Sequence, residues 1–387
     1  MIKRILLLAI AGIAVVVVGL ILAPGPIAPA AWQPKPAPAL TGVYAPNEAL
    51  KPAQRLAAGI GNGPEGIAVD AAGQVYAGFI DGRVIRLAAD AAAYVELANT
   101  GGRPLGLSID ATGNLVIADA RKGLLQLTPD GRLETLVDSA GGVAFGFTND
   151  VDRAAADGML YFTDASSKFR FPDYLRDQAE HRPHGRLLRY DPQTHVTDVL
   201  LDGLYFANGV AVGPDDAYVL VNETAAYRVV RYWLKGEKAG QHEIFIDNLP
   251  GFPDNLSFNG RDRFWLALAS PRDPQVDALA GWPTLRKLIA RLPGRVQALL
   301  QSRVKNRSFV LGLDLDGKIV ANLQYAGDDA YAPITSVEEQ GPWLYFGSFS
   351  AAEIARLPLQ NVVPGAPPPP PGAQDAPLRP EAGRQIK

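Results

Sequence analysis

Six times between Pro64 and Phe346 the chain repeats one unit: a short alternating strand, a turn built on Asp, Asn or Gly, and a second strand. The copies open at Pro64-Glu65-Gly66-Ile67, Pro104-Leu105-Gly106-Leu107, Asn149-Asp150-Val151, Ala207-Asn208-Gly209-Val210, Pro253-Asp254-Asn255-Leu256 and Ile334-Thr335-Ser336-Val337. Their turns fall at Ala72-Gly73, Thr112-Gly113, Asp157-Gly158, Asp215-Asp216, Asn259-Gly260 and Gln340-Gly341. Further strands, such as Arg83 to Leu87, Gly185 to Tyr190 and Ala226 to Trp233, complete each sheet. Hairpins recurring every ~40 to 60 residues are the sequence form of propeller blades. The expected fold is an all-β, six-bladed β-propeller over residues 47–361, and 39 Gly and 32 Pro supply its turns.

The two ends differ from this body. Lys3 and Arg4 precede an uncharged apolar run from Ile5 to Ala23, which as a helix rising about 1.5 Å per residue nearly matches a bilayer core of roughly 30 Å. Residues 1–23 are therefore expected to be an uncleaved transmembrane signal anchor. The basic residues stay on the cytoplasmic side, which places the propeller on the exported face. Residues 24–46, rich in Pro and Ala, read as an extended tether, and residues 362–387, with Pro367 to Pro371 consecutive, as a disordered tail.

Within the body, residues 271–307 lack alternation and read as one or two helices, with Leu285, Leu288, Ile289 and Leu292 on one face. Arg286, Lys287, Arg291, Arg295, Arg303, Lys305 and Arg307 occur there, with no acidic residue between Asp277 and Asp314. Such an insertion lies on an anionic membrane surface, acts as a lid, or packs on the blade rim.

Charge and composition exclude several chemistries. A net charge of −3 offers no attraction to nucleic acid. The absence of Cys removes disulfides, thiolate ligands and a thiol nucleophile. No G-x-S-x-G elbow is present, and Pro64 interrupts the formal Gly61-x-Gly63-x-x-Gly66 match to a dinucleotide loop, which a strand follows instead of a helix. Ser166 and Ser167 read as a blade loop.

Strand phase points to the candidate site. Residues of one parity face one way along a strand, and two positions before the first inward apolar residue of each copy stand Glu65, Leu105, Asn149, Asn208, Asp254 and Thr335. If these strands are the innermost of their blades, the six side chains ring one channel mouth. Four carry carboxylate or amide oxygen, the ligand chemistry of a hard cation, and Ca²⁺ fits best. The four His (His181, His184, His195, His242) fall off this phase, which disfavours zinc. Tyr205, Phe206, Phe252, Trp265 and Tyr331 are candidates for an apolar pocket beside the mouth or for core packing.

The segments Pro64-Glu65-Gly66, Tyr161 to Lys168, Asn208-Gly209-Val210, Val221-Asn222-Glu223-Thr224, Gly251 to Asn255 and Leu344 to Ser348 together resemble the strictosidine synthase-like family, over roughly residues 48–360. That family is similar in fold to paraoxonases and gluconolactonases, propellers that use a channel calcium for ester or lactone hydrolysis. The resemblance implies Glu65, Asn149, Asn208, Asp254 and Asn255 as calcium ligands, with Asp254 and Asn149 catalytic. It implies Asp254, or a water the ion activates, as base or nucleophile, and a small-molecule ester or lactone as substrate. The alternatives are a scaffold propeller with a structural calcium and a strictosidine synthase-type lyase. Three departures narrow the implication. Leu105 stands where paraoxonases place a catalytic-pocket His, Thr335 where true synthases carry an essential Glu, and Gly66 where paraoxonases have a carboxylate for a second calcium.

Overall fold

The computed structural model describes residue 19 and residues 23–300 and 307–370. Six four-stranded antiparallel sheets succeed one another around a channel. Their innermost strands are Ile67–Val69, Pro104–Ile109, Thr148–Arg153, Ala207–Val212, Gly251–Phe258 and Ser336–Gln340, in blades 1 to 6. Each begins within three residues of one of the expected repeat starts. Blade 6 takes its outer strand from the other end of the chain, where Gln54–Leu56 pairs with Ile354–Pro358 in the register Gln54↔Arg356. That pairing closes the ring and leaves no free edge between its first and last blades.

The hairpin turns repeat one device. Asp70 Oδ1 accepts from the amides of Ala72 and Gln74, Asp110 Oδ1 from Thr112 and Asn114, and Asp314 Oδ1 from Asp316 and Lys318. A short acceptor side chain caps its own turn, and Gly73, Gly113 and Gly317 follow with φ of 80–86°. This is why the Asp-x-x-Gly texture marks hairpins within the blades so clearly. Outward from the inner strands, apolar side chains of neighbouring blades form the core, as where Trp265, Val310, Leu344 and Phe346 pack between blades 5 and 6.

The insertion contains three short helices, not one or two: α2 (Pro274–Leu279), α3 (Pro283–Ile289) and α4 (Gly294–Leu300). Together with α1 (Tyr174–Glu180) of blade 3 they cover the face on which the inner strands begin. The apolar stripe expected there is half-used: Leu285 and Leu292 are exposed, while Leu288 and Ile289 are half-buried. Arg303 and Lys305 lie outside the described residues.

Residues 24–46 are extended, as expected, but they are held against the propeller and do not hang free. Ala28 N donates to Glu180 Oε2 at 2.7 Å, Ala30 N to the Glu180 carbonyl at 2.9 Å, and Arg272 reaches the Lys35 carbonyl at 2.8 Å. Ile27 is buried and Trp32 stacks on His181 with ring centroids 3.9 Å apart. The physical reason is that the Pro-rich backbone offers carbonyls without partners, and buried Arg side chains of the insertion take them. At the other end, Val362, Val363 and Ala366 pack on the blade 6 core, so the body extends past residue 361. The rest of the expected tail, residues 371–387, lies outside the described residues. So does the expected anchor, apart from Gly19 and Ala23; among the described residues no helix is long and apolar enough to cross a membrane.

Candidate metal centre at the channel mouth

Four of the inner strands lose register with their neighbours at the same height: between Pro104 and Leu107, Thr148 and Val151, Ala207 and Val210, and Pro253 and Leu256. A bulge there turns a strict alternation into a bend that re-aims side chains. This brings consecutive residues, Asp254 and Asn255, to one site. Asn255 Nδ2 donates to Glu65 Oε1 at 2.8 Å, across blades 5 and 1, while Asn208 is a hydrogen-bonding neighbour of the Asp254 carboxylate.

Glu65, Asn149, Asn208, Asp254 and Asn255 are all buried. Around them, Asn208 Nδ2 donates to Thr224 Oγ1 at 3.1 Å, and Thr224 Oγ1 donates to the Pro253 carbonyl at 2.6 Å. Asn222 donates to the Asp254 carbonyl, and Ser336 Oγ to the Glu65 carbonyl at 2.6 Å. Glu65 Oε2, Asn149 Oδ1, Asn208 Oδ1 and Asn255 Oδ1 remain buried without a hydrogen-bond partner among the described residues. Orphaned buried acceptors are costly, about 1–3 kcal/mol each. Carboxylate and amide oxygens of this kind are what an oxygen-liganded cation takes, so the donor types fit calcium. Among the described residues no three carboxylate or imidazole groups gather to hold a metal by themselves; this centre depends on amides.

The electrostatics agree. Burial pushes the Glu65 carboxyl up to about 7, against the pull of the Arg103 guanidinium. Burial, then the Glu65 charge, raises Asp254 well above its ordinary range. Two carboxylates with a single buried Arg as nearby compensation suit a divalent ion. Arg103 itself is anchored by Nη1 to the Gly63 carbonyl at 2.7 Å.

The other two ring positions behave differently. Leu105 joins Phe147, Ala165, Phe206 and Ala225 in an apolar cluster, with Tyr174 and Tyr205 packed against it. Thr335 is fully buried, and its hydroxyl leans on the Glu65 carbonyl at 3.4 Å. Gly66 is a packing requirement, since a Cβ there would lie 2.1 Å from the Leu105 carbonyl oxygen. Below the centre the channel widens into a cavity of about 200 Å³ bearing Asp150, Asp152 and Glu338. Asp150 Oδ2 and Asp152 Oδ2 accept the amides of Val210 and Val212 and so tie blade 3 to blade 4.

Of the aromatic candidates, Phe206 lies in the cluster at the mouth, Tyr205 packs against it, and Phe252 lines a neighbouring cavity. Trp265 and Tyr331 do not: both are buried in the core of blades 5 and 6, where Trp265 Nε1 donates to Glu339 Oε2 at 2.6 Å. Strand parity sorts inward from outward but does not distinguish the channel from the space between blades. Ser166 is a loop residue, donating to Asp177 Oδ2 at 2.6 Å. Sequence reasoning missed Arg103 and His181. Arg103 precedes a repeat start by one residue, a position at which the phase argument did not look, and His181 is the C-cap of the short helix α1.

Six blades around a channel, with an oxygen-rich centre where the inner strands begin, define the class: a six-bladed propeller of the gluconolactonase type of fold. The molecule is similar in structure to a gluconolactonase from Xanthomonas campestris, with TM-score 0.57, 18% identity, and coverage of 87% of this chain and 99% of that one. It is also similar to regucalcin, a calcium-binding protein from Agrobacterium tumefaciens, with TM-score 0.52, 14% identity and coverage of 79% and 90%. At these identities the likeness establishes the fold. In sequence, the model of the strictosidine synthase-like N-terminal region matches residues 42–87, and that of strictosidine synthase matches residues 149–237. Protein Strictosidine synthase-like 4 of Arabidopsis thaliana is 37% identical over 316 residues, 80% of this chain and 83% of its own length. The adipocyte plasma membrane-associated protein of Rattus norvegicus is 33% identical over 356 residues, 87% of this chain and 94% of its own. The chain belongs to the strictosidine synthase-like family.

Proposed function

We propose that this protein is a calcium-dependent hydrolase of esters or lactones. The observation that carries the reading is the set of orphaned buried oxygens on Glu65, Asn149, Asn208 and Asn255, beside the Asp254 carboxylate. These five residues would hold the ion. When bound, calcium supplies Lewis acidity for the substrate carbonyl and stabilises negative charge on its oxygen.

The chain's own residues do the rest. In this reading the Asp254 carboxylate would accept the proton of an attacking water, and Asn149 would orient the carbonyl. Arg103 offsets part of the charge on Glu65. Leu105, Phe147 and Phe206 exclude bulk water from the mouth, which strengthens every polar interaction inside it. The test is turnover of phenyl acetate and of simple lactones, with calcium and with chelator. Activity that survives complete chelation rules the reading out.

One observation favours a second reading, a scaffold propeller with a structural ion: Asp254 is only 8% exposed. In that case chelation lowers thermal stability and no ester or lactone is turned over. A synthase-type condensation lacks its residue, because Thr335 offers a hydroxyl already directed at backbone.

The expected location is the exported face of a membrane, held by the apolar run Ile5 to Ala23. The name of the adipocyte plasma membrane-associated relative supports that reading.

The pKa shifts set a pH dependence. In the cation-free protein burial pushes Asp152 up to about 6, Glu65 to about 7 and Glu338 to about 8. Folded carboxyls that titrate above their unfolded values hold protons the unfolded chain has released, so stability falls as pH rises through that window. In chelator, the melting temperature is expected to decline from about pH 5 to about pH 8, and the gain from added calcium to widen over the same range, because the ligands must lose their protons. Melting scans across that range, with and without calcium, check it. A gain that shrinks as pH rises contradicts it.

A further inference from the structure

Beneath the strap of residues 24–46 lies a second cavity, of about 260 Å³. Ile27 and Trp32 lie over it, Leu279, Ala280 and Ile289 of the insertion form one wall, and Phe252 and Ala225 face the propeller. Most of its polar neighbours are already engaged. The Arg286 guanidinium gives Nη1 and Nη2 to the carbonyls of Ala30, Ala179 and Ala280 while its Nε stays buried without a partner among the described residues, and the Tyr227 hydroxyl goes to Asp277 Oδ1 at 3.1 Å.

His181 is different. Its ring is clamped between Trp32 and Tyr205, with centroids 3.9 and 4.6 Å away, and is 6% exposed. No hydrogen bond reaches its ring nitrogens among the described residues, and the ring lines the cavity. Burial, together with the charges of Arg286 and Arg228, pushes it down to about 3, so it is a neutral imidazole with one N–H and one lone pair to offer.

This cavity adjoins the candidate centre. Phe252 precedes Asp254 by two residues, and Ala225 follows Thr224, which receives the Asn208 amide. The chain also runs from the cavity towards its apolar terminus, for Arg291 holds the Ala23 carbonyl. Trp282, 66% exposed, and Leu285 stand on the same insertion.

We infer that the cavity under the strap binds the alkyl chain of an amphiphilic ester or lactone, with the His181 imidazole hydrogen-bonding an uncharged oxygen of the ligand. The inference rests on the hydrolase reading for the ligand's ester character, but not for its binding. A mostly apolar enclosure with a neutral imidazole on its wall favours a saturated chain over a sugar-like ligand, since each buried methylene contributes about 0.8 kcal/mol. A bilayer beside the cavity is the natural source of such a molecule.

The test uses non-hydrolysable ester mimics on the full chain in chelator, followed by intrinsic tryptophan fluorescence and calorimetry. Methyl decyl ketone is expected to bind at least about tenfold more tightly than methyl propyl ketone. Ala290→Phe, which fills the cavity from a half-buried position, should remove that difference. His181→Phe keeps the ring stack but not the hydrogen bond, and should weaken methyl decyl ketone several-fold while leaving undecane unchanged. Equal, weak binding of both ketones to the folded parent overturns the inference, whether or not short esters are hydrolysed. Chain-length-dependent ketone binding, with no turnover of esters or lactones of any length in added calcium, supports the cavity and overturns the hydrolase reading instead. Chain-length-dependent binding that survives both substitutions places the ligand elsewhere and overturns the assignment.

Discussion

Replacing Asp254 by alanine is expected to abolish calcium binding and to lower ester or lactone hydrolysis by about a thousandfold or more, the scale of a lost electrophilic centre. Asp254 is one of two carboxylates among the five proposed ligands, and Arg103 already compensates the other, Glu65. Amide oxygens alone hold calcium weakly. The stability signature is as diagnostic as the rate. A ligand present at a hundred times its Kd stabilises the folded state by about 2.7 kcal/mol, and Asp254→Ala should lose that response. In chelator the same variant should be at least as stable as the parent, because it no longer buries a second carboxylate beside Glu65. Calorimetry and melting with and without calcium read both effects. A variant that still melts higher with calcium removes Asp254 from the ligand set.

Gly209→Ala should damage the channel through a single methyl group. A Cβ at Gly209 would lie 2.5 Å from the Asn255 Cα, 2.7 Å from the Asp254 carbonyl oxygen and 2.8 Å from the Leu256 amide nitrogen. All three are backbone atoms of the blade 5 inner strand, so no side chain can swing aside. Overpacking of this kind costs about 1–3 kcal/mol. It also drives apart Asn208 on one strand and Asp254 with Asn255 on the other, so calcium affinity should fall with stability. Gly281→Ala, at a position with no neighbour within 4 Å, is the control and should leave both unchanged. Denaturant midpoints in chelator, followed by calcium titration of the folded variant, separate the two losses. Parent-like stability and affinity in Gly209→Ala would mean that the inner strands are not packed as tightly as the structure has them.

Much of the architecture was legible because its signals are local. The side chain of Asp70 or Asp110 caps a turn within four residues of itself, and alternation is a property of one strand at a time. The ring positions followed from the same parity, and Glu65, Asn149, Asn208 and Asp254 are buried at or near the beginnings of inner strands. Parity failed where the backbone leaves it. The bulge between Pro253 and Leu256 puts Asn255 at the centre beside Asp254, an arrangement that strict alternation forbids. It failed again at Trp265 and Tyr331, whose burial between blades depends on the rotation of one sheet against the next.

By itself, then, the amino-acid sequence determined the number of blades, the strand faces and the residue types offered to the channel, because each depends on spacings of a few residues. Only the tertiary structure decided what those groups meet. The contact between Asn255 and Glu65 spans 190 residues, and that between Ala28 and Glu180 spans 152. Arg103 beside Glu65, the strap across the helical face and the His181 ring stacked between Trp32 and Tyr205 likewise come from the tertiary fold. It brings together segments whose proximity no local periodicity encodes.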